Sequence, residues 1–279
     1  MLTWLEAAVL AILQGVTELF PVSSLGHSVI IPKLFHWHID QNSTSFLPFL
    51  VVLHLGTALA LLLFFWRDWI DLLLALVGKG PDEDRERNRR LLLLVVVATI
   101  PAGLIGLALQ HFLEKLFGAP LVAATFLAIN GVILFVGERQ RRKAGFRKAS
   151  DLGWSEALLV GVSQSAALIP GISRSGSTIV AGLWLGLRHE EAARFSFLMA
   201  TPIIGAAGLL EVPKLLHNNA NTNVGMVLFA GVLAAVSAYL SVFFLMRYFH
   251  KTDFQALNPF AYYCMAAGVV AFALIAAGV

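Results

Sequence analysis

Two polar stretches with the makings of chemistry interrupt an otherwise apolar chain. PGISRSGST, from Pro170 to Thr178, puts an arginine, four hydroxyl side chains and two glycines between strongly apolar segments. QGVTELFPVSSLGHS, from Gln14 to Ser28, supplies an amide, a carboxylate, serines and a histidine. Gln14 and Glu18 are four apart and share one face of a helix ending near Phe20. Pro21 stops that helix, and Ser23 or Ser24 takes the N-cap position of the next, with Gly26 and His27 in its first turn. In the second stretch Pro170 and Gly171 break the chain and Ser173 caps. Arg174, Ser175 and Gly176 then open the following half-helix. Helix N-termini present unbonded N–H groups and about half a positive charge, which suits a phosphate. Arg174 adds a fixed cation whose forked donors match phosphate oxygens.

The elements that must position these groups are set by the solvent. The 279 residues are 58% hydrophobic and only 13% charged, with a mean hydropathy of +0.78. A soluble domain would carry roughly a quarter charged residues. Apolar runs of about 20 residues, enough to cross a bilayer core, recur along the chain. The expectation is an all-α polytopic membrane protein with six transmembrane helices at about 46–66, 91–110, 120–137, 195–213, 224–247 and 257–278. The stretches 4–31 and 154–187 are instead interrupted by proline, glycine and serine, and read as two re-entrant helical hairpins. Irregular backbone at membrane depth is tolerated only where it is buried or lines a wet cavity. No cationic leader is expected, since the first basic residue is Lys33, and the single cysteine, Cys264, reads as helix packing.

The hairpins are related to each other. A shift of 150 places Trp4 on Trp154, Glu6 on Glu156, Ala7 on Ala157, Gln14 on Gln164, Ser23 on Ser173 and Gly26 on Gly176. Residues 1–150 and 151–279 therefore read as two copies, each a hairpin plus three spans. An odd number of crossings inverts the second copy, the plan of many transporters. Basic residues then sort to one side: six from Arg67 to Arg90, six from Arg139 to Lys148, and Arg188, Arg194, Arg247 and Lys251. Lys33, Lys115 and Lys214 fall on the other. The crowded side is cytoplasmic, so both termini and the mouth of the first hairpin are expected to face outward.

The two motifs resemble those of the undecaprenyl-diphosphate phosphatase family of the bacitracin-resistance type. Its first signature is matched by Gln14, Glu18, Pro21, Ser23, Ser24, Gly26 and His27, and its second by Pro170 to Thr178 throughout. The resemblance extends over essentially the whole chain, including FSFLMATP at 195–202. It implies hydrolysis of a C55 isoprenoid diphosphate to its monophosphate in the bacterial cytoplasmic (inner) membrane, recycling the lipid carrier of cell-wall synthesis. Ser24 is the first choice of nucleophile, with His27 as acid or base, or itself the nucleophile. Arg174 would neutralise phosphoryl charge, and Ser23, Gly26, Ser173, Ser175, Gly176 and Thr178 would hold phosphate oxygens. A divalent cation, Mg²⁺ or Ca²⁺, is implied, held by Glu18 and Gln14, and Glu18 would bind that metal or orient water or His27 as a catalytic residue. Gln14 stands where many members have glutamate, which weakens any role needing two carboxylates. The partners expected are an isoprenoid diphosphate lipid and the bilayer, with a homodimer left open and no nucleic acid.

Three other readings compete. Glu18 and Arg174 as a purely structural ion pair would leave His27 and the hydroxyl-rich loop without a purpose. A transporter or flippase of an anionic isoprenoid lipid would use the same broken helices but needs no serine–histidine pair. The lipid-phosphatase superfamily is matched only superficially by SSLGHS, with no lysine-arginine-proline motif upstream. His54 reads as a hydrogen-bonded packing residue within a span, and KGPDEDRERNRR as a solvated cytoplasmic loop. Reporter fusions at the C-terminus should place Val279 outside the cytoplasm; a cytoplasmic signal there would overturn this topology.

Overall fold

A computed structural model describes residues 2–37, 46–116, 118–141, 147–217 and 223–278. His38, Arg142 and Lys143 lie outside the described residues, as do the side chains of Lys115, Lys214, His111 and His217. Every regular element described is helical: α1 (Trp4–Thr17), α2 (Ser24–Leu34), α3 (Phe46–Phe64), α4 (Trp66–Leu76), α5 (Asp82–Leu116), α6 (Pro120–Gln140), α7 (Trp154–Ser165), α8 (Arg174–Trp184), α9 (His189–His217), α10 (Val224–Lys251) and α11 (Asn258–Ala276).

Among the described residues, five of these are long and apolar enough to cross a bilayer: α5 over Asp84–Leu109, α6, α9 over His189–Leu210, α10 and α11. The sixth expected span is α3, which turns through 76° into α4 after a one-residue break. The mixed-charge run expected as a loop is helical instead from Asp82 onward. There α5 continues past its apolar length, and the pairs Asp82–Arg85 and Asp84–Arg87 bridge successive turns.

The two interrupted stretches form α1–α2 and α7–α8. At 1.5 Å per residue the longest of these four, α1, reaches roughly 21 Å, short of a ~30 Å hydrocarbon core. Each pair breaks where the prolines stand. Ser23 and Ser173 are the N-caps, their hydroxyls accepting from the Gly26 and Gly176 N–H groups at 3.2 and 3.1 Å. The halves exchange partners: α1 packs on α10, α7 on α5, α3 on α9 and α6 on α11. Each interrupted stretch is thus packed by a helix from the other half of the chain.

The two breaks meet at the centre. Asn130 of α6, fully buried, donates to the Pro21 carbonyl and accepts from the Ser173 N–H, both at 3.0 Å. One side chain thus ties the two turns together. Gly171 has φ +103°, and a Cβ there would lie 2.3 Å from the Ala123 carbonyl oxygen. A Cβ on Gly26 would lie 3.0 Å from the Gly171 Cα, so the loops touch backbone to backbone. Both the left-handed conformation and the contact exclude a side chain at 171. Gly171→Ala should therefore lower the unfolding temperature of the purified protein in detergent, at a cost of about 2 kcal/mol or more. An unchanged melting curve would mean that the turn relaxes freely.

Candidate functional site

The end of α1 leads straight into a carboxylate, and four donors converge on it. Glu18, 6% exposed, accepts on Oε2 from Ser24 Oγ at 2.6 Å, His54 Nε2 at 3.2 Å and Gln14 Nε2 at 3.3 Å. Its Oε1 accepts from Arg174 Nε at 3.2 Å. These donors come from α1, α2, α3 and α8, so the carboxylate joins both hairpins and one span. A carboxylate bonded by an arginine and a hydroxyl is held ionised by those bonds. His54 Nδ1 lies 2.8 Å from the Leu50 carbonyl and must carry a hydrogen. Nε2 faces Glu18, so both ring nitrogens are directed at oxygen acceptors. His54 is thus more than the packing residue expected from the sequence. It is a second nitrogen donor to Glu18 beside Arg174.

Arg174 is the first residue of α8 and spreads its guanidinium over two elements. Nε serves Glu18, Nη1 donates to the Ser196 carbonyl of α9 at 3.1 Å, and Nη2 is buried without a hydrogen-bond partner. A cavity of about 350 Å³ opens in front of these groups. Its polar lining comprises Thr17, Glu18, Ser23, Ser24, His54, Gln164, Ser173 and Arg174, and its remaining wall is aliphatic, mainly from α3, α5, α9 and the break between α7 and α8. Both α2 and α8 begin at this cavity, so two helix N-termini face it. Leu107 and Leu210 lie on its rim and are 58% and 53% exposed. The mouth therefore reaches the outer surface of the bundle, where lipid lies.

Other expected residues sit around this cavity in supporting places. Ser23 has φ +68°, a conformation that serine seldom adopts. His27 holds that turn: its Nδ1 donates to the Ser23 carbonyl at 2.6 Å, and its Nε2 accepts from the Tyr263 hydroxyl at 2.8 Å. Both ring nitrogens are engaged, the ring stacks on Tyr263, and His27 does not line the cavity. The sequence puts His27 on the side of Ser24; the structure turns it away and brings Glu18 to Ser24 instead. Ser175 donates to the Phe20 carbonyl of the first hairpin at 3.3 Å and lies 3.1 Å from the Ser173 hydroxyl. Thr178 bonds Ser196 Oγ at 2.7 Å and the Arg174 carbonyl at 2.9 Å, seating α8 on α9. Gly26 and Gly176 are close-contact positions behind the caps. Gln14 is buried behind Glu18, and its Oε1 has no partner.

Sequence reasoning missed His54, Asn130 and Gln164. His54 and Asn130 lie in apolar helices without a local motif. Gln164 carried one signal, its coincidence with Gln14 under the shift of 150.

A buried carboxylate bonded by an arginine and a histidine, with two helix N-termini, sits in a multi-pass helical bundle of the broken-helix type. Comparison with known proteins narrows this. The chain belongs to the bacitracin resistance protein BacA family, whose model matches residues 7–270. It is 54% identical over 282 residues to an undecaprenyl-diphosphatase of Acidiphilium cryptum, covering 99% of this chain and all of that one. It is 49% identical to undecaprenyl-diphosphatase 2 of Chromobacterium violaceum over 95% of this chain and 96% of the relative. A third relative, an undecaprenyl-diphosphatase of Granulibacter bethesdensis, is 50% identical over 96% of each chain.

The convergence on Glu18 is testable. Glu18→Gln leaves the Arg174 cation facing a neutral amide, which should cost about 3–5 kcal/mol and lower the unfolding temperature in detergent. In the double variant Glu18→Gln, Arg174→Met the loss should be smaller than the sum of the two single losses. Strict additivity would show that the two side chains are not energetically coupled.

Proposed function

We propose that this protein hydrolyses undecaprenyl diphosphate to undecaprenyl phosphate and inorganic phosphate, and so sustains cell-wall synthesis and bacitracin resistance. The observation that carries the chemistry is the 2.6 Å contact from the Ser24 hydroxyl to Glu18, beside Arg174 and His54 in a lipid-facing cavity. Ser24 is the nucleophile in this reading. As its oxygen bonds to the terminal phosphorus, its proton passes to Glu18, and the bridging P–O bond breaks. The lipid leaves as a monophosphate that keeps the bridging oxygen. Water then attacks the phosphoserine, Glu18 handles the proton, and the serine is restored.

Arg174 and His54 supply the charge stabilisation that phosphoryl transfer requires. Both are held on Glu18 in the resting site, and both can turn to phosphate oxygens when a more highly charged group enters. His27 acts here by holding the Ser23 carbonyl, and with it the turn that presents Ser24. Ser23 and Ser173 remain on the cavity wall as candidate phosphate donors, while Ser175, Gly176, Thr178 and Gly26 maintain the loops. The transporter reading gains no comparable support, since transport has no use for a hydroxyl bonded to a carboxylate.

We assign the divalent cation, Mg²⁺ or Ca²⁺, to Glu18 and Gln14. Gln14 Oε1 is a buried oxygen without a partner, which suits a hard cation. Among the described residues no three His, Cys, Asp or Glu side chains form a metal cage. The two residues supply one carboxylate and one amide oxygen, so such a cation would complete its shell with phosphate oxygens and water, the habit of Mg²⁺. Such a cation would neutralise phosphate charge.

The cavity is assigned to the outer, periplasmic side. Its lining from α5 (Ala102–Leu107) and α9 (Ile203–Leu210) lies towards the C-terminal ends of helices whose opposite ends carry Arg85–Arg90 and Arg188–Arg194. If the basic ends are cytoplasmic, the mouth and phosphate release are outward. The volume, about 350 Å³, suits a small head group, and the isoprenoid tail would leave between Leu107 and Leu210 into lipid. We assign residues 1–150 and 151–279 to the two inverted copies.

With purified protein, wild type should release inorganic phosphate from undecaprenyl diphosphate, whereas Ser24→Ala should lose release by about 10³-fold or more while still binding substrate. Acid quench should trap a phosphoserine, which survives acid; an acid-labile adduct would move the nucleophile to a histidine. Near-full activity in Ser24→Ala would leave Glu18 and water as the mechanism.

A further inference from the structure

The two copies place equivalent glutamines at the ends of α1 and α7, but only one of them has work within the protein. In the first copy, Gln14 donates its amide to Glu18, four residues on. Under the same shift of 150, Gln164 corresponds to Gln14 and Leu168 to Glu18. The second copy thus keeps the amide and has an aliphatic side chain in place of its acceptor. Gln164 is 3% exposed, and neither Nε2 nor Oε1 has a hydrogen-bond partner. Gln164 and Leu168 both line the cavity that holds Ser24, His54 and Arg174.

A buried amide with both ends unpaired destabilises the empty protein, because it has given up water and received nothing in exchange. Leucine or methionine would fill the same space without that cost. An unpaired donor on the wall of a cavity meant for an anion finds its compensation when the anion arrives. Arg174 Nη2, also buried and unpaired, has the same property across the break of the same hairpin. The asymmetry divides the labour between the copies: the first carries the carboxylate and the hydroxyl that react, and the second carries donors only.

We propose, on the reading of this cavity as a diphosphate site, that Gln164 is a substrate-binding residue whose Nε2 donates to the lipid diphosphate. A diphosphate spans two phosphoryl groups. The one attacked must lie at Ser24 and Glu18, where a further carboxylate would repel it. Gln164, whose own copy lacks that carboxylate, takes the phosphoryl group that stays with the lipid. Replacing Leu168 of the cavity wall by an acid would restore the symmetry and bring a negative charge to that group.

The test uses the full-length protein in detergent, with inorganic pyrophosphate as the probe and thermal unfolding and calorimetric binding as readouts. Gln164→Leu should unfold at the same temperature as the parent or higher in the absence of ligand. It should bind pyrophosphate roughly 10- to 100-fold more weakly, the loss expected for one hydrogen bond to a charged group. KM for the lipid diphosphate should rise accordingly. Gln164→Glu, nearly isosteric, should fold and lose pyrophosphate binding by at least as much. Binding within twofold of the parent in either variant overturns the assignment. So does a lowered unfolding temperature with unchanged affinity, which would make Gln164 a structural amide. If the parent itself neither binds pyrophosphate nor releases phosphate from the lipid, the phosphatase reading falls, and this assignment with it.

Discussion

A single buried carboxylate organises the centre of this molecule. Glu18 receives bonds from Ser24, Gln14, His54 and Arg174, which arise on three helices besides its own. In a low-dielectric interior an ion pair recovers its desolvation cost only when its geometry is good and its remaining lone pairs are bonded. Glu18 meets that condition with four donors. Arg174 meets it less completely, with one nitrogen buried and unbonded. That unmet donor, costly in the empty protein, is what an incoming diphosphate would relieve.

The arrangement depends on broken helices being held at the middle of the bundle. Pro21, Pro170 and Gly171 release the backbone from helical geometry, and the released groups need partners away from water. Asn130 provides two of them in one side chain, bonding the Pro21 carbonyl and the Ser173 N–H. Ser175 adds a direct link from the second hairpin to the Phe20 carbonyl of the first. Because Gly26 and Gly171 lack side chains, the two turns approach backbone to backbone. The N-termini of α2 and α8 can then face one cavity. Packing, capping and electrostatics thus act at the same few residues.

The cavity combines two solvents. Its floor is polar and buried, and its rim at Leu107 and Leu210 reaches the lipid-facing surface. An amphiphile with an anionic head and a long apolar tail could place each part in its preferred surroundings without crossing the bundle. The aliphatic wall also excludes water from Arg174 and His54, which strengthens their interaction with charge.

Much of this was legible in the residues alone. Apolar runs set the spans, because backbone in lipid must bond to itself. Proline and glycine followed by serine marked the breaks and caps, because those signals are local. Ser23 and Ser173 cap as their positions demand, and Glu18 and Arg174 stood out because ionised groups in apolar segments are expensive. Tertiary structure alone decided which of these groups meet. It put His54 on Glu18, since one histidine in a span has no local signature separating packing from an ion pair. It turned His27 towards Tyr263, 236 residues away, although spacing placed it beside Ser24. It also left Gln164 unpaired while Gln14 was bonded, although the two occupy equivalent positions under the shift of 150. Local geometry fixes where a helix starts and which face a residue occupies. Which charges share a cavity depends on how distant helices pack, and that follows from the shapes of the surfaces as a whole.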